Sequence, residues 1–395
     1  MNILHVINYY HEGFGYQENF LAYNQKKLKH NVLIVTSDYY FPVPHYDQIM
    51  RPRLGDKKRG SGRYNENGVE IIRKKSYLYH LGPSGVLYFD LKKEIIDFLP
   101  DVIHVHGATN LFLFQIIKLQ KKYHYKIFID SHQDFIVEGY KSNIYYYLYY
   151  SIWKFLYHRE GGYLNNISRF LPISRSAEEW LNVRLGVVHG KTSVSPLGVD
   201  LKSMHYSKEF DIVFREKYQI GNKIIIVNAG KQYEKKNILW IIDVAKASID
   251  LGVQIFLVLV GNADRNYNEK ILQSLSFIDS KVVLRLPFLD RKELMKVYCA
   301  ADIGIWPGVP SNTIQEAMSC RVGMILPNNN IVGHLIDGNG INESMNTLKA
   351  AKFIKHLYDN KSELNDIKNK SQIIAKSLSW KNISVDLCEM YRDFP

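Results

Sequence analysis

Short apolar runs alternate with longer amphipathic segments along the whole chain. Most of the short runs are continuously apolar and rich in β-branched residues, a pattern typical of strands buried on both faces of a parallel sheet. In the first half we predict strands within NILHVIN, NVLIVTS, VEIIRK, DVIHVHG, KIFIDSH, RFLPIS and TSVSPLG. In the second half we predict them within KIIIVNAG, IFLVLVG, VVLRLPF, IGIWPG and VGMILPN.

Helical patterns separate nearly all of these strands, and this repeated alternation predicts an α/β protein with doubly wound parallel sheets. The alternation stops in LKSMHYSKEFDIVF, residues 201–214, and begins again at Lys223. We therefore predict two Rossmann-like domains in tandem, with a boundary between residues 204 and 205. The length of 395 residues agrees with two domains rather than a single core.

Charge narrows the class of partner. The net charge of +12 favours an anionic partner, which could be nucleic acid, a phosphorylated small molecule or an acidic membrane surface. No nucleic-acid-binding motif is present, so we expect no nucleic acid. The three cysteines are widely spaced and the first residues contain no secretory signal, which predicts reduced thiols and a cytoplasmic location.

The loop after the first predicted strand is a candidate anion site. In YYHEGFGYQENFLA the chain passes through Gly13 and Gly15 to a helix that begins near Tyr16. Glycine allows close approach of the backbone, and a helix N-terminus attracts anions. A plain turn that needs glycine for its dihedral angles explains the same residues equally well.

A second loop of this kind follows the strand KIIIVNAG. Gly230 ends the strand, and Lys231, Lys235 and Lys236 precede a helix. Lysines near a helix N-terminus are unfavourable, because the dipole repels cations there, unless an anion joins them. The alternative is a solvated basic turn.

Two histidines end neighbouring predicted strands, His106 in DVIHVHG and His132 in IDSHQDF. Ligands of open α/β sheets bind at the carboxyl ends of strands. We therefore treat both as candidate functional residues, although a histidine at a strand end is often only a hydrogen-bonded loop residue.

The stretch PSNTIQEAMSC combines Ser311, Asn312 and Thr313 with Glu316 at the start of a helix. One interpretation is a capping box, in which Glu316 reaches back to the Thr313 backbone N–H. The other is that the helix N-terminus binds a phosphate and Glu316 binds a neighbouring sugar hydroxyl. The local sequence does not distinguish the two.

Other chemistries lack their motifs. GFGY is missing the third glycine of a dinucleotide fingerprint, and GVVHGKT has the wrong spacing and position for a P-loop. No Asp-x-Asp pair occurs, so a metal-clamped diphosphate site has no evident ligands. We expect no metal and no bound cofactor.

Taken together, these residues resemble the retaining glycosyltransferases of family 4, over essentially the whole chain. The resemblance includes Gly13 and Gly15, the H-x-H strand end at His104 and His106, the strand end Ser131-His132, PLGVD, Gly230-Lys231 with Lys236, VLVGNAD, and the run LPFLDRKELMKVYCAADIGIWP. It implies the GT-B fold, α/β, with two Rossmann-like doubly wound parallel-sheet domains that face a central cleft. The implied domains are an acceptor-binding domain, residues 1–204, a nucleotide-sugar-binding domain, residues 205–372, and a C-terminal helix, residues 373–395, that crosses back to the first domain.

The resemblance also implies roles for individual residues. Lys231 and Lys236 would neutralise the leaving diphosphate, and His132 would lie beside the donor sugar. Glu316 would bind the donor ribose hydroxyls. The other implied donor-binding residues are Gly13, Gly15, Gly230, Pro287, Phe288, Leu289, Ser311, Asn312 and Thr313, and the acceptor-binding residues are His106 and Tyr16.

The chain departs from the family pattern at one position. Gly308 stands eight residues before Glu316, where the family has a first glutamate that contacts the transferred sugar. We therefore consider two functions. The first is a metal-independent retaining hexosyltransferase that uses a UDP-sugar, or alternatively a GDP-sugar. The second is a catalytically weak nucleotide-sugar-binding subunit that supports a partner transferase.

Two segments of the first domain bear on the acceptor. The loop Phe41–Gly68 is long and basic, and the aromatic run IYYYLYYSIWKFLYH contains interspersed basic residues. Both compositions suit a membrane interface and predict a polyprenyl-linked saccharide acceptor of bacterial surface polysaccharide synthesis, with peripheral contact at the inner face of the cell membrane. The alternatives are a helix that covers the core and a free saccharide acceptor.

Overall fold

The computed structural model describes residues 1–13, 15–40, 51, 55–79, 86–135, 144–159, 162–308, 311–343 and 345–393. The described chain divides into two compact units, residues 1–196 with 380–395 and residues 197–379. Both are α/β with a mainly parallel sheet. Within the predicted loop Phe41–Gly68, residues 41–50 and 52–54 lie outside the described residues.

The first unit contains a seven-stranded sheet with the order β3-β4-β2-β1-β7-β8-β9. The strands of this unit are β1 Asn2–Ile7, β2 Asn31–Ser37, β3 Gly62–Glu66, β4 Val69–Lys74, β5 Tyr77–Tyr79, β6 Val86–Tyr88, β7 Val102–His106, β8 Lys126–Ser131 and β9 Arg169–Pro172. Its helices are α1 Gln17–Lys27, α2 Lys92–Phe98, α3 Leu113–Tyr123, α4 Ile144–His158 and α5 Arg175–Trp180. The central strands are almost wholly buried, which explains their continuous apolar sequences.

Three strands of the first unit are missing from the sequence prediction. β3 pairs antiparallel with β4 at the edge of the sheet, and β5 pairs with β6 as a separate two-stranded ribbon. β3 is mostly exposed and polar, so it has no apolar run. Conversely, the predicted strand TSVSPLG was wrong. It follows β9 through the bonds Ser193 N–H to Phe170 O and Ser195 N–H to Pro172 O, but it forms only one isolated bridge.

The second unit contains a six-stranded parallel sheet with the order β12-β11-β10-β13-β14-β15. Its strands are β10 Ile224–Ala229, β11 Ile255–Val260, β12 Val283–Leu286, β13 Ile303–Ile305, β14 Gly323–Leu326 and β15 Gly340–Asn342. Its helices are α6 Lys208–Lys217, α7 Ile238–Asp250, α8 Arg265–Leu275, α9 Arg291–Ala300, α10 Thr313–Ser319, α11 Thr347–Asp359 and α12 Lys361–Ser377. Asp264 and Asp290 cap α8 and α9 with their side chains, which is why these helices begin there.

The last helix, α13 Trp380–Asp393, packs in the first unit. Trp380 stacks on Phe20 of α1, with 5.7 Å between the ring centroids. The divisions of the chain differ from the predicted residues 204/205 and 372/373. Val199 pairs with Ser379, which places both in the second unit, and α12 continues to Ser377, so that α13 begins only at Trp380.

Helix α4 has one face in the core and one apolar face in solvent. Tyr150, Trp153 and Tyr157 are buried in the main core of the first unit. The opposite face carries Ile144, Tyr147, Leu148, Ile152 and Phe155, which are 54–74% exposed. In the described part of the chain, no helix has the length and apolar character that a membrane crossing requires.

Candidate functional site

The order of strands in the second sheet places a ligand site between β10 and β13. Strand order runs outward from β10 in one direction and from β13 in the other. Open α/β sheets bind ligands at such a switch point, outside the carboxyl ends of the strands. The loop after β10 carries Gly230, Lys231 and Lys236, and the loop after β13 leads to Ser311–Thr313. The structure therefore brings together two segments that are about 80 residues apart in sequence.

Hydrogen bonds join these two loops at the end of β10. The hydroxyl of Thr313 donates to the Ala229 carbonyl oxygen at 3.1 Å, and Ser311 Oγ lies 2.7 Å from Thr313 Oγ1. Gly230 has φ +138°, a backbone conformation that side chains rarely allow. A Cβ atom on Gly261 would overlap the Gly230 carbonyl oxygen, so glycine at 261 is what permits the close approach of these turns.

Two lysines lie close together after β10. Burial and, to a smaller extent, the positive charge of Lys231 together lower the pKa of the Lys236 ammonium group to about 8. Lys236 is the last residue of the turn Glu234–Lys236, which precedes α7. An anion binds favourably beside a half-buried ammonium group and a second cation, because its negative charge offsets the repulsion between the two cations and the cost of burying one of them.

Glu316 is paired with an arginine that the sequence analysis did not select. Its carboxylate accepts from Arg291 Nη2 at 2.9 Å. Burial raises the pKa of Glu316, while Arg291 opposes that rise and Asp200 adds to it. Asn312, not Thr313, is the N-cap residue of α10, and it makes no side-chain cap bond. The carboxylate thus has a different partner from the one that a capping box requires.

Gly308 packs tightly against the lysine loop. A Cβ atom at this position would overlap the Lys235 carbonyl oxygen and lie 2.8 Å from Lys236 Cα. The glycine is therefore part of the geometry that holds Lys236, because a larger residue would displace the backbone of that loop.

The segment Pro287–Leu289 follows β12, the edge strand of the same sheet. Pro287 and Phe288 are exposed and Leu289 is half-buried. The Leu286 carbonyl oxygen accepts from Gly261 N–H at 2.9 Å, which fixes the start of the segment beside the β11 turn. The predicted role of these residues in binding a nucleobase stays a prediction.

The first sheet has its own switch point, between β1 and β7. His5 of β1 pairs in register with His104, and His106 of β7 pairs with Asp130 of β8. The three imidazole rings stack, with centroids 4.6–5.3 Å apart. All four side chains are buried. They form a polar cluster in the interior, next to α1 and α13.

Hydrogen bonds connect this cluster. His5 Nε2 lies 2.7 Å from Gln25 Oε1, and His5 Nδ1 lies 3.0 Å from His106 Nε2. His106 Nδ1 lies 2.5 Å from Asp130 Oδ2. On the other side, His104 Nδ1 contacts the Tyr391 hydroxyl of α13 at 2.5 Å.

The partners found for His106 change its predicted role. Both of its ring nitrogens already have partners inside the first unit, so neither is left to bond an acceptor directly. This favours a residue that positions its neighbours over one that binds an acceptor. His132 is exposed just beyond β8, and it is close enough to Asp130 and His106 for both to act on the pKa of its ring.

The glycine loop after β1 already binds a carboxylate of the protein itself, that of Glu66 in β3. The Gly13 N–H donates to Glu66 Oε1 at 2.6 Å, and Tyr10 and Asn19 donate to Glu66 Oε2. Gly13 and Gly15 have φ +72° and +74°, so this turn requires glycine. Tyr16 is the N-cap residue of α1, and its side chain is partly exposed. A ligand anion at Gly13 would have to replace Glu66.

Among the described residues, His104, His106 and Asp130 are a set whose possible metal-ligand atoms all lie within 4.8 Å of one another. Their rings are stacked rather than convergent, and their atoms bond each other and their neighbours. This donor set fits a hydrogen-bond cluster better than a metal site. The expectation that no metal or cofactor is required stays a prediction.

Several residues of these sites were not predicted from the sequence. These residues lie in ordinary strands, helices or turns, and only their tertiary neighbours distinguish them. They are Arg291, Glu66, Gln25, His5 and Asp130. The one available signal was a buried polar residue inside an apolar run, namely His5 in NILHVIN and Asp130 in KIFIDSH.

Comparison with known proteins agrees with this geometry. The family described as Glycosyltransferase Family 4 matches residues 20–203. HepE of Anabaena in complex with UDP covers 99% of this chain and 100% of its own, with TM-score 0.71 and 15% identity. Sucrose-phosphate synthase from Thermosynechococcus elongatus covers 99% and 98%, with TM-score 0.67 and 16% identity. No curated protein matches the sequence significantly.

A third structure, described as trehalose-6-phosphate from E. coli bound with UDP-2-fluoro glucose, covers 100% of this chain and 99% of its own, with TM-score 0.70 and 11% identity. The two parallel-sheet units thus have the GT-B fold of glycosyltransferases, as the sequence predicts. Within that fold class, the match of residues 20–203 to the model of Glycosyltransferase Family 4 supports the predicted family.

Proposed function

We propose that the chain transfers a sugar from a nucleotide-diphosphate donor to a saccharide acceptor, with retention of anomeric configuration and without a metal ion. The observation that carries the proposal is the lysine pair at the switch point of the second sheet, where burial and Lys231 together lower the pKa of Lys236. Such a pair is stabilised most by a ligand with concentrated negative charge, and a diphosphate is a ligand of this kind.

The residues around this pair have distinct roles in the proposal. Lys231 and Lys236 stabilise the charge that develops on the leaving diphosphate. The carboxylate of Glu316, held by Arg291 at 2.9 Å, accepts from the ribose hydroxyls. Backbone groups at Gly230 and at Ser311, Asn312 and Thr313 border the phosphates, and those at Pro287, Phe288 and Leu289 border the base.

The first unit supplies the other predicted contacts. Gly13, Gly15 and His132 keep in this proposal the donor-side roles that the sequence resemblance implies. Tyr16 and His106 belong to the acceptor side, where His106 acts through its neighbours.

The reaction is balanced without a protein base. The bond between the anomeric carbon and the diphosphate oxygen breaks, and a bond from the acceptor oxygen forms on the same face of the sugar. The proton of the acceptor hydroxyl passes to the leaving phosphate. Lys231 and Lys236 supply the positive charge that a metal ion provides in other enzymes of this chemistry.

UDP is the favoured nucleotide and GDP the alternative. The HepE and E. coli structures contain UDP, UDP-glucose or a UDP-glucose analogue, which supports a UDP-hexose donor here. At 11–15% identity these neighbours support the fold and the class of ligand, and the choice of base rests on experiment.

The acceptor in the proposal is a lipid-linked saccharide of bacterial surface polysaccharide or glycoconjugate synthesis, used by a cytoplasmic enzyme in contact with the inner face of the membrane. The exposed apolar face of α4 supports this contact. Its basic neighbours do so too, because residues 144–159 and 181–191 contain Lys154, Arg159, Arg184 and Lys191 but no Asp or Glu. Such a surface suits anionic lipid.

A second candidate function is a nucleotide-sugar-binding subunit of low activity. Gly308 favours it, since this position offers no carboxylate to the transferred sugar. The lysine pair and Glu316 would still bind a nucleotide diphosphate in such a subunit. Donor turnover therefore separates the two functions, whereas nucleotide binding does not.

The test of donor binding is the melting temperature of purified protein with UDP, GDP, ADP and their sugar conjugates, with and without a chelator. A ligand at about 100 times its dissociation constant adds about 2.7 kcal/mol. We expect stabilisation by UDP that a chelator leaves unchanged and that Glu316→Ala or Lys236→Ala removes.

The matched control is Lys246→Ala, a surface lysine of α7 that contacts Phe277. It should keep the full UDP shift. Absence of a shift with every nucleotide would contradict the proposal, and a shift without release of UDP from UDP-hexose and acceptor would favour the binding subunit.

A further inference from the structure

The hydrogen-bond chain at the switch point of the first sheet runs from Gln25 through His5 and His106 to Asp130. Its three links measure 2.7, 3.0 and 2.5 Å. Every member is buried. Because no member is solvated, each link must contain one proton that is shared between one donor and one acceptor.

Counting these protons fixes the charge of His106. Gln25 Oε1 can only accept, so His5 Nε2 carries a proton and the neutral His5 ring has a bare Nδ1. That nitrogen must accept from His106 Nε2. At the far end the Asp130 carboxylate accepts from His106 Nδ1, so both nitrogens of His106 are protonated.

The surroundings of Asp130 agree with an ionised carboxylate. Its Oδ1 accepts from Gly107 N–H at 3.1 Å. Its Oδ2 faces two further nitrogens, Gln17 Nε2 and His104 Nε2, each at 3.4 Å. The Gly107 N–H and the Gln17 amide nitrogen can only donate, and they favour an ionised carboxylate over a carboxylic acid that would donate to a neutral His106.

The orientation of a single amide decides this result. If the Gln25 NH₂ group faced His5 instead, it would donate to His5 Nε2, and His5 Nδ1–H would donate to His106 Nε2. His106 would then be neutral. The structure places the amide oxygen 2.7 Å from His5 Nε2. Burial raises the pKa of the nearby Tyr391 hydroxyl, and the Gln25 amide opposes that rise.

We propose that Gln25 is a positioning residue that fixes His106 as a buried imidazolium ion paired with Asp130. The effect on turnover that this inference predicts rests on the proposed transferase function. The ion pair holds the Gly107 N–H through Asp130, and Asn110 donates to the carbonyl oxygens of His106 and Gly107. The charge on His106 thereby fixes the loop that leaves β7 at the switch point.

The electrostatics of the cluster support this assignment. Burial would lower the pKa of His106, but Asp130 raises it above its ordinary value. Burial, together with the charges of His104 and His106, lowers the pKa of His5 well below its ordinary range. Burial would raise the pKa of Asp130, yet His106 and bonds from His104 and His106 hold it well below its usual value.

Other titratable groups face this pair from each packed element, and any measured titration includes their influence. They are Glu18 from α1, His5 from β1, His104 from β7, His132 after β8 and Tyr391 from α13. Among them, burial raises the pKa of Glu18 to about 7, while the charge of His106 lowers it.

The experiment is nitrogen-15 NMR of the histidine rings in the full-length protein between pH 6 and 9. The His106 signals are assigned by their loss in His106→Gln. We expect both His106 nitrogens to show the shifts of an imidazolium at pH 7. Gln25→Leu removes the acceptor of His5 and should lower the pH at which His106 loses its charge by about one unit or more.

Two further variants keep the test decisive. Gln25→Glu retains an oxygen acceptor and cannot reverse, so His106 should stay an imidazolium. Tyr125→Phe removes a buried tyrosine hydroxyl outside the cluster, which donates to the Ile116 carbonyl oxygen, and should leave the His106 signals unchanged. If Gln25→Leu does not fold, the wild type alone still decides the question, because a reversed amide would leave His106 neutral at pH 7.

A neutral His106 in the wild type at pH 7, or an unchanged titration in a folded Gln25→Leu protein, overturns the proposal. The readout is ring protonation rather than turnover, so a failure of the transferase function would leave it intact. If turnover is found, Gln25→Leu should lower kcat while Gln25→Glu largely restores it, a difference that a purely structural defect would not produce.

Discussion

At the scale of single residues, the lysine pair of the second unit makes ligand binding depend on pH. The pKa of Lys236 is about 8 in the free protein, below the value of about 10.4 for an unperturbed lysine. The group is therefore charged below pH 8 and becomes neutral as the pH rises through 8. A diphosphate favours the charged form, so its binding raises this pKa and takes up a proton.

We expect the affinity for UDP to fall as the pH rises above 8, by up to about tenfold per unit. Calorimetry at pH 8.5 in two buffers of different ionisation enthalpy measures the protons taken up. Lys236→Arg stays charged throughout this range and should remove both the slope and the uptake. An identical pH slope in Lys236→Arg would mean that another group is responsible.

Gly308 is the residue at which the chain departs from the family 4 pattern, and packing explains why a side chain does not fit there. We expect Gly308→Ala and Gly308→Glu to weaken UDP binding by about tenfold or more, because the new Cβ displaces the backbone at Lys235 and Lys236. Gly308→Glu should gain no activity. Gly333→Ala, where a Cβ meets only ordinary contacts, is the control, and tight UDP binding by Gly308→Glu would contradict the packing argument.

At the scale of elements, α4 shows how one helix satisfies two interpretations of its sequence. Its Tyr and Trp side chains fill the core on one face, and its other face leaves aliphatic and aromatic groups exposed. An exposed apolar stripe with basic neighbours indicates an interaction surface. The sequence alone left the core and the membrane interface as alternatives, because periodicity does not reveal what covers each face.

We expect the double variant Ile152→Ser with Phe155→Ser to lose binding to vesicles of phosphatidylcholine and phosphatidylglycerol. Each side chain is at least 60% exposed, so its replacement should cost little stability. Co-sedimentation measures the bound fraction. Phe277→Ser, which removes a similarly exposed aromatic residue from the second unit, should bind as the wild type does. Equal binding by all three proteins would remove α4 as the contact.

At the scale of the whole molecule, the chain returns to its first unit through α13. Trp380, Ile383, Leu387 and Tyr391 are buried there, and Tyr391 contacts His104 of the polar cluster. Residues that are almost 300 positions apart in sequence therefore share one core. The stability of the first unit depends on the last helix, whereas the second unit is continuous in sequence.

Removal of residues 380–395 should destabilise the first unit selectively, because it exposes the apolar surface that α13 covers on α1. Hydrogen exchange measured by mass spectrometry should show faster exchange in α1 and β1. Peptides from α7 and β10 of the second unit serve as the internal control and should keep their protection. Equally raised exchange in both units would contradict the assignment of α13 to the first unit.

Sequence by itself determined most of the parallel strands, the alternation that makes both sheets doubly wound, and the resemblance to family 4 glycosyltransferases. These depend on local apolar runs and motifs, which each segment carries whatever its neighbours are. Tertiary structure alone decided that Arg291 pairs with Glu316, that Glu66 occupies the Gly13 amide and that Gly308 supports Lys236. It also decided the charge of His106, since a proton's position depends on partners from α1, β1 and β8 that only folding brings within hydrogen-bond distance.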